Sequence, residues 1–223
     1  MGSDDLFGKR KAKQVRELKR HQAKRAQYDR VLIVCEGEKT EPNYFQELLD
    51  HYRLNSANVE INGDCGSAPI SVVQRAKDLF RTEQRNGIPF DRVYCVFDKD
   101  SHDSYEAALQ AVKIAKPKTK FFAINSIPCF EYWLLLHFVY STQPFCGTVG
   151  AKSAGDQVLE ELKKYIPDYA KGDNGYFESL ISQLPQAIVY SKRSLKAAEA
   201  SGTDNPFTLV HELVEYLQEL GKN

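Results

Sequence analysis

Acidic residues follow several apolar segments that have the composition of β-strands. Glu36 and Glu38 come directly after VLIVC, Asp98 and Asp100 follow VYCVF, and Glu131 lies a short loop beyond a fourth apolar segment. Asp98 and Asp100 are two positions apart at an extended end, so their side chains point to the same side. If the first and third strands are neighbours, Glu36 comes close to both aspartates.

Carboxylates that converge in one cleft repel each other unless a cation lies between them. Oxygen ligands without His or Cys favour a hard ion such as Mg²⁺ or Mn²⁺. An ion of this kind, alone or as a pair, can activate water and stabilise the leaving oxygen of a phosphodiester. The pattern therefore predicts Mg²⁺- or Mn²⁺-dependent phosphoryl chemistry at the acids that end the strands, which include Glu36, Asp64, Asp98, Asp100 and Glu131.

Further polar residues are candidates for substrate contacts. Lys39 and Lys99 flank the acids and could hold a substrate phosphate or balance charge. His102, two residues after Asp100, could act as a general acid or base or contact the substrate. Tyr169, Lys171 and Lys192 or Arg193 are candidate nucleic-acid contacts from the outer region, or they are solvated surface residues. The candidate substrate-binding residues are therefore Lys39, Lys99, His102 and Lys171.

Apolar periodicity predicts the elements that position these residues. Strand-like segments alternate with amphipathic helical stretches, which is typical of a parallel sheet with right-handed crossovers. In such a sheet, ligands bind outside the carboxyl ends of the strands. We expect an α/β fold with a mostly parallel sheet of about four strands and helices on both faces. The predicted strands are 31–35, 58–62, 93–97 and 120–125, and the predicted helices include 41–51, 104–115 and 129–139.

The sequence of the second half of the chain predicts a region with little regular structure, followed by helices. Residues 140–175 contain five Gly and two Pro, which is typical of a lid or a substrate-contacting insertion. One helix is predicted after Pro185, and a second is predicted to start at Asn205 and Pro206. The predicted organisation is a basic N-terminal arm (1–29), a catalytic domain (30–140) and a helical accessory region packed on it (141–223).

Charge is unevenly distributed along the chain. The net charge is zero, yet residues 9–30 contain ten Lys or Arg and two acids, a charge of +8. A basic arm can attract nucleic acid by neutralising phosphates, or it can be a solvated segment that packs on a partner. Glu38 and Glu41 are expected to favour the positive N-terminal end of the first helix.

Composition argues for a cytoplasmic protein. No apolar segment approaches the roughly 18–20 residues of a membrane span, and the N-terminus is charged rather than a secretory signal. The five cysteines are widely spaced and form no CxxC or Cys/His zinc pattern, so reduced thiols are expected. Cys35 and Cys95 lie in apolar segments and are expected to act as small hydrophobic residues.

Four motifs resemble the RloB-like family over about residues 30–218. They are EGEKTEPNYF, FDKDSH, NSIPCFEYWLLLHF and NPFTLVHELV. The first two are also similar to the Toprim arrangement, a glutamate followed by DxD, of topoisomerases, primases and OLD-type nucleases. The resemblance implies a Toprim-like fold in which Glu36 is a base or metal ligand, Asp98 and Asp100 bind metal, and Glu131 completes a second metal position. It also implies an anti-phage defence role and an ATPase partner.

One departure from the commonest Toprim pattern leaves the metal number open. SHD follows Asp100 where a further acid is usual, so the third carboxylate must come from Glu131, Asp64 or Asp103. Either one or two metal ions are compatible with this set.

Three functions fit these residues. The first is a metal-dependent nuclease acting on RNA, including tRNA, or on DNA, as the effector of a prokaryotic defence system. The second is a catalytically silent or partner-gated subunit of an ATPase defence complex. The third is a response-regulator-like phosphoacceptor, which needs a Lys after a later strand; no clear Lys follows the fourth strand.

Overall fold

The computed structural model describes most of the chain from residue 29 onward. Residues 1–28 of the basic arm, Asp100 and His102 lie outside the described residues, so the predictions made for them stay predictions. The described ranges are 29–54, 58–66, 68–99, 103–118, 120–147 and 152–222.

A five-stranded sheet forms the centre of the described chain, in the order β2-β1-β3-β4-β5. The first four strands are parallel, and β5 pairs antiparallel with β4. This confirms the predicted mostly parallel α/β fold. The chain leaves β1 in one direction to form β2 and returns to its other side to form β3, so the strand order reverses between β1 and β3. The strands are Val31–Cys35, Val59–Asn62, Arg92–Asp98, Phe121–Ile127 and Phe207–Thr208.

Eight α-helices of the described residues surround this sheet, and local sequence signals explain several of their ends. Pro69 starts α2, where its missing N–H costs nothing. Ser153 and Asp156 form a capping box at the start of α5. Gly202 ends α7 with a φ of 67°, a left-handed conformation that suits glycine. The helices α1 to α8 are Thr40–His51, Pro69–Arg85, Tyr105–Lys113, Glu131–Leu135, Ala154–Lys163, Tyr176–Leu180, Leu184–Ser201 and Val210–Leu220.

Both faces of the sheet are covered by apolar side chains. Alternate residues of β1 face opposite sides: Ile33 packs in the core formed with α1 and α4–α8, whereas Leu32 packs in the core formed with α2 and α3. All five residues of β1 are fully buried, as expected for a central strand of a parallel sheet. The core on the Ile33 side also contains Trp133 and residues of α5 to α8.

The last strand replaces the start of a predicted helix. The prediction that a helix starts at Asn205 and Pro206 was wrong, because α8 begins at Val210. The Asn205 side chain instead pairs with both the N–H and the C=O of Phe145. A hydroxyl pair between Thr208 and Ser126 (2.9 Å) then joins the extended segment to β4.

Two other elements differ in extent from their predictions. The helix predicted at 129–139 is regular only over Glu131–Leu135, after which His137 and Phe138 donate to carbonyls three residues earlier and form tight turns. The glycine-rich region contains the ten-residue helix α5, whose capping box offsets the low helix propensity of Gly155. In the described part of the chain, none of the helices has the length and apolar character needed to cross a bilayer.

Candidate active site

Two acidic residues meet where the strand order reverses. Glu36 follows β1, and its N–H continues the strand ladder by donating to the carbonyl of Val96 (3.0 Å). The Oε2 atom of Glu36 then accepts a 2.9 Å hydrogen bond from the N–H of Asp98, the last residue of β3. The structure thus brings together two of the predicted site residues, in the crevice where α/β proteins bind ligands.

The loop after β4 adds a third acid. The N–H of Phe130 donates to Oδ2 of Asp98 (3.0 Å), which fixes the start of α4 beside β3. Glu131, the first residue of α4, has a side chain that is only 3 % exposed. Its Oε1 atom accepts from the Tyr169 hydroxyl (3.2 Å) and lies 3.1 Å from Nζ of Lys171. Glu131 therefore belongs to the same acidic edge as Asp98.

The structure places Tyr169 in a different position from the one that the sequence predicts. We expected an outer residue that contacts nucleic acid, but Tyr169 is 2 % exposed and is bonded to Glu131. That prediction was wrong, because the segment before α6 folds back over the carboxyl edge of the sheet. Tyr169 supports the acidic site from inside.

Glu41 is a site residue that sequence reasoning missed. It lies in the first turn of α1, as expected, but it is buried. Burial raises the pKa of Glu41 to about 7, and the charges of Glu131 and Glu36 act in the same direction. The missed signal was its spacing from Tyr44 and Leu48, which places Glu41 on the apolar face of the helix.

Negative charge is concentrated around Asp98. Burial raises the pKa of this half-buried residue well above its usual range. The charges of Glu41 and Glu131 add to the rise, while the hydrogen bond from Phe130 opposes it. A carboxyl group in this position gains from a nearby cation, because the cation stabilises its charged form.

A cavity of about 400 Å³ opens beside Glu36 and Glu41. Its wall is formed by residues 36–41, Gly66, Lys171 and Gly172. Lys39 and Lys171 thus face the same space as Glu36 and Glu41. The cavity combines carboxylates with two lysines, and a phosphate group can contact both a carboxylate-bound cation and a lysine.

The other predicted residues lie apart from this cavity. Lys99 forms an ion pair with Asp204 and lines a separate cavity of about 320 Å³. Asp64 and Asp103, the alternatives for a third carboxylate, are exposed, whereas Glu131 is buried. Of these three acids, Glu131 is the one next to Asp98, because the residue before it donates its N–H to Oδ2 of Asp98.

The donor set fits a hard divalent cation in its chemistry. Glu36, Asp98 and Glu131 supply carboxylate oxygens, the ligands that such an ion prefers. Burial first, and then the charges of Glu41 and Glu131, raise the pKa of Asp98. Within the described ranges, no three His, Cys, Asp or Glu side chains already form a group arranged to hold a metal ion. Asp100, the fourth predicted ligand, lies outside those ranges.

Comparison with known proteins identifies the family. A family model described as "RloB-like protein" matches residues 31–217. No curated protein and no solved structure matches the chain. The matched range contains β1 to β5 and every acid of the described site. Because the match covers well over half of its residues, the chain belongs to the RloB-like family.

Proposed function

We propose that this protein is a metal-dependent nuclease that hydrolyses phosphodiester bonds in RNA or DNA. One observation carries the proposal: backbone hydrogen bonds hold Glu36, Asp98 and the start of α4 together beside a cavity that also contains Lys39 and Lys171. Acids and lysines in one cleft suit a substrate that carries phosphate groups. The similarity of the EGEK and FDKD motifs to the Toprim arrangement supports the same activity.

Glu36, Asp98 and Glu131 would hold the divalent cation, together with Asp100. When bound, the cation would supply positive charge at the scissile phosphate and promote attack by water. Glu36 is oriented for this role by the Asp98 N–H, and Asp98 by the Phe130 N–H. Glu36 serves as a ligand or as the general base.

Lys39 and Lys171 bind and orient the substrate in this proposal. Lys39 lies in the turn between β1 and α1, and its aliphatic chain packs against Gly172. A Cβ atom at Gly172 would lie 2.9 Å from Cδ of Lys39, and Gly172 has a φ of 87°, so glycine is favoured there on both grounds. This contact holds Lys39 at the cavity, where it can contact a phosphate oxygen.

Cleavage of different nucleic acids, followed by analysis of the cleaved ends, tests both the substrate class and the reaction. The purified protein is incubated with Mg²⁺ or Mn²⁺ and labelled tRNA, single-stranded DNA or double-stranded DNA, and the cleaved ends are sequenced. We expect cation-dependent cleavage that yields phosphate and hydroxyl ends. Cyclic 2′,3′-phosphate ends on RNA, formed equally in EDTA, would instead indicate attack by the 2′-hydroxyl without a metal and would overturn the proposal.

We further propose the defence role that the family resemblance implies, with an ATPase as partner. The test is phage infection of cells that express the protein together with a candidate ATPase partner, compared with cells that express a Glu36→Gln variant and the same ATPase. Protection by the wild-type protein and not by the variant is expected. Equal plaque counts for both would contradict a defence role that depends on this site.

A further inference from the structure

Lys171 and Glu131 form an ion pair between an exposed cation and a buried anion. The Lys171 side chain is 61 % exposed, whereas that of Glu131 is 3 % exposed. Nζ of Lys171 and the Tyr169 hydroxyl both contact the same atom, Oε1 of Glu131, at 3.1 and 3.2 Å. Oε1 of Glu131 thus contacts the exposed ammonium group of Lys171 and accepts a hydrogen bond from the buried Tyr169 hydroxyl.

Hydrogen bonds join the main chain after Lys171 to side chains of α1. The N–H of Gly172 donates to Oγ1 of Thr40 (3.0 Å), and Nδ2 of Asn43 donates to the carbonyl of Gly172 (3.0 Å). Farther along, the Glu47 carboxylate accepts from the N–H groups of Gly175 and Phe177. These contacts fix the main chain immediately after Lys171, so its amine reaches Glu131 from a defined position.

Lys171 places a positive charge at the buried Glu131 carboxylate. Its Nζ atom lies 3.1 Å from Oε1 of Glu131, while most of the lysine side chain remains exposed to solvent. The ammonium charge also lowers the electrostatic cost of the neighbouring acid Glu41. Lys171 therefore supplies a positive charge from the protein itself to the acids Glu131 and Glu41.

We infer that Lys171 takes the place of a second metal ion beside Glu131, so that the chain binds one divalent cation in its acidic site and not two. This inference rests on the proposed metal site and decides between the one-metal and two-metal alternatives. A second divalent ion at Oε1 of Glu131 would have to displace the ammonium group or lie against it, and like charges at that separation repel. In this role Lys171 acts through Glu131, in addition to the substrate contact proposed above.

The test counts bound metal rather than activity. The metal-free full chain is titrated with Mn²⁺, and free Mn²⁺ is measured by electron paramagnetic resonance for the wild type, Lys171→Met and Lys171→Arg. We expect one tightly bound Mn²⁺ for the wild type, two for Lys171→Met, and one again for Lys171→Arg, which restores the charge. Thermal melting followed by circular dichroism shows that each variant is folded.

Two matched variants separate this role from simpler ones. Lys39→Met removes the other lysine of the same cavity, and Tyr169→Phe removes the other donor to Oε1 of Glu131. Both should keep one Mn²⁺, because each leaves Lys171 in place. A second ion in either variant would show that any loss of a neighbouring donor opens the site, and it would overturn the specific role of Lys171.

The remaining outcomes distinguish this inference from the proposed function. One Mn²⁺ in both the wild type and a folded Lys171→Met variant would overturn the inference and leave the metal site standing. Two Mn²⁺ in the wild type would do the same. No bound Mn²⁺ in the wild type would overturn the proposed metal site itself, and the inference with it.

Discussion

The N–H of Asp98 donates a 2.9 Å hydrogen bond to Oε2 of Glu36, across 62 residues of sequence. This bond continues the β1–β3 pairing beyond the last residue of β1, so the position of the carboxylate is set by the sheet rather than by a loop. Sites built on rigid elements hold their geometry more closely than sites on loops. The positions of Glu36 and Asp98 are thus set by hydrogen bonds that extend the sheet.

Gly37→Ala should impair the site with little loss of stability. A Cβ atom at this position would overlap Oε2 of Glu41, so the flexible Glu41 side chain, whose charge acts on Asp98, must shift. Displacing an active-site group by about 1 Å typically costs about 10- to 100-fold in rate, and we expect a loss of cleavage in that range. The measurement is the Mn²⁺-dependent cleavage rate together with the thermal midpoint.

Gly147→Ala is the control for this substitution. Its nearest neighbour would be 3.5 Å from the new Cβ atom, an ordinary contact distance. Its cleavage rate should match that of the wild type. A Gly37→Ala variant that is as active as this control would show that the position of Glu41 does not matter to the site.

Gly63→Ala should destabilise the fold. The added Cβ would lie 2.6 Å from the carbonyl oxygen of Gly37 and 3.1 Å from Cα of Glu38, both backbone atoms that cannot move independently. Overpacking of this kind costs about 1–3 kcal/mol in the free energy of unfolding. Urea unfolding at neutral pH measures it. Gly155→Ala, in α5 and with no atom closer than 3.9 Å to its new Cβ, should instead be neutral or gain up to about 1 kcal/mol.

Glu47→Ala should loosen the segment that follows Lys171. The variant loses the carboxylate that accepts from the N–H groups of Gly175 and Phe177 at the start of α6. Loss of such a cap costs about 1 kcal/mol, so the two amides should exchange with deuterium roughly fivefold faster. Asp50→Ala changes an exposed acid of the same helix and should leave exchange in 170–178 unchanged. Equal exchange in both variants would contradict the capping role of Glu47.

Protonation of His137 should make the fold less stable below neutral pH. Burial lowers the pKa of His137 to about 4, and its Nε2 has no hydrogen-bond partner among the described residues. Between pH 6.5 and 4 the unfolded chain binds this proton more readily than the folded chain, so the contribution of His137 to the free energy of unfolding falls as the pH falls. From pH 7 to 5 this group contributes a loss of about 2 kcal/mol.

The His137→Phe variant isolates that contribution. The variant keeps an aromatic ring but has no titrating nitrogen, so it should lose about 2 kcal/mol less than the wild type between pH 7 and 5. Urea unfolding at the two pH values gives the difference. His51→Gln, which changes an exposed histidine, should keep the wild-type pH dependence. An unchanged slope in His137→Phe would show that another group accounts for the loss.

Local sequence signals predicted the part of the site that belongs to the sheet. The β-branched segment before Glu36 and the segment before Asp98 indicated two buried strands, and the parallel alternation indicated that their ends meet. The contact between these two residues follows from that arrangement. The same reasoning placed Glu131 near the edge, because it follows β4 by only a short loop.

Long-range contacts explain what the sequence did not predict. Tyr169 bonds to Glu131 across 38 residues, and no local pattern encodes how the intervening loop returns to the sheet. Glu41 was interpreted as a helix-start acid because acids are common there, although its helical phase places it on the buried face. The strand β5 has two residues, and its pairing with β4 leaves no periodic signal.

The central claim is that the carboxylates at the β1–β3 edge support metal-dependent phosphodiester cleavage. The most direct measurement is the cleavage rate of labelled RNA and DNA against Mn²⁺ concentration for the wild type, Asp98→Asn and the exposed control Asp64→Asn. We expect cleavage by the wild type and the control that EDTA stops, and a rate at least about 100-fold lower for a folded Asp98→Asn variant. Cleavage by Asp98→Asn at the wild-type rate, or wild-type cleavage that persists in EDTA, would contradict the claim.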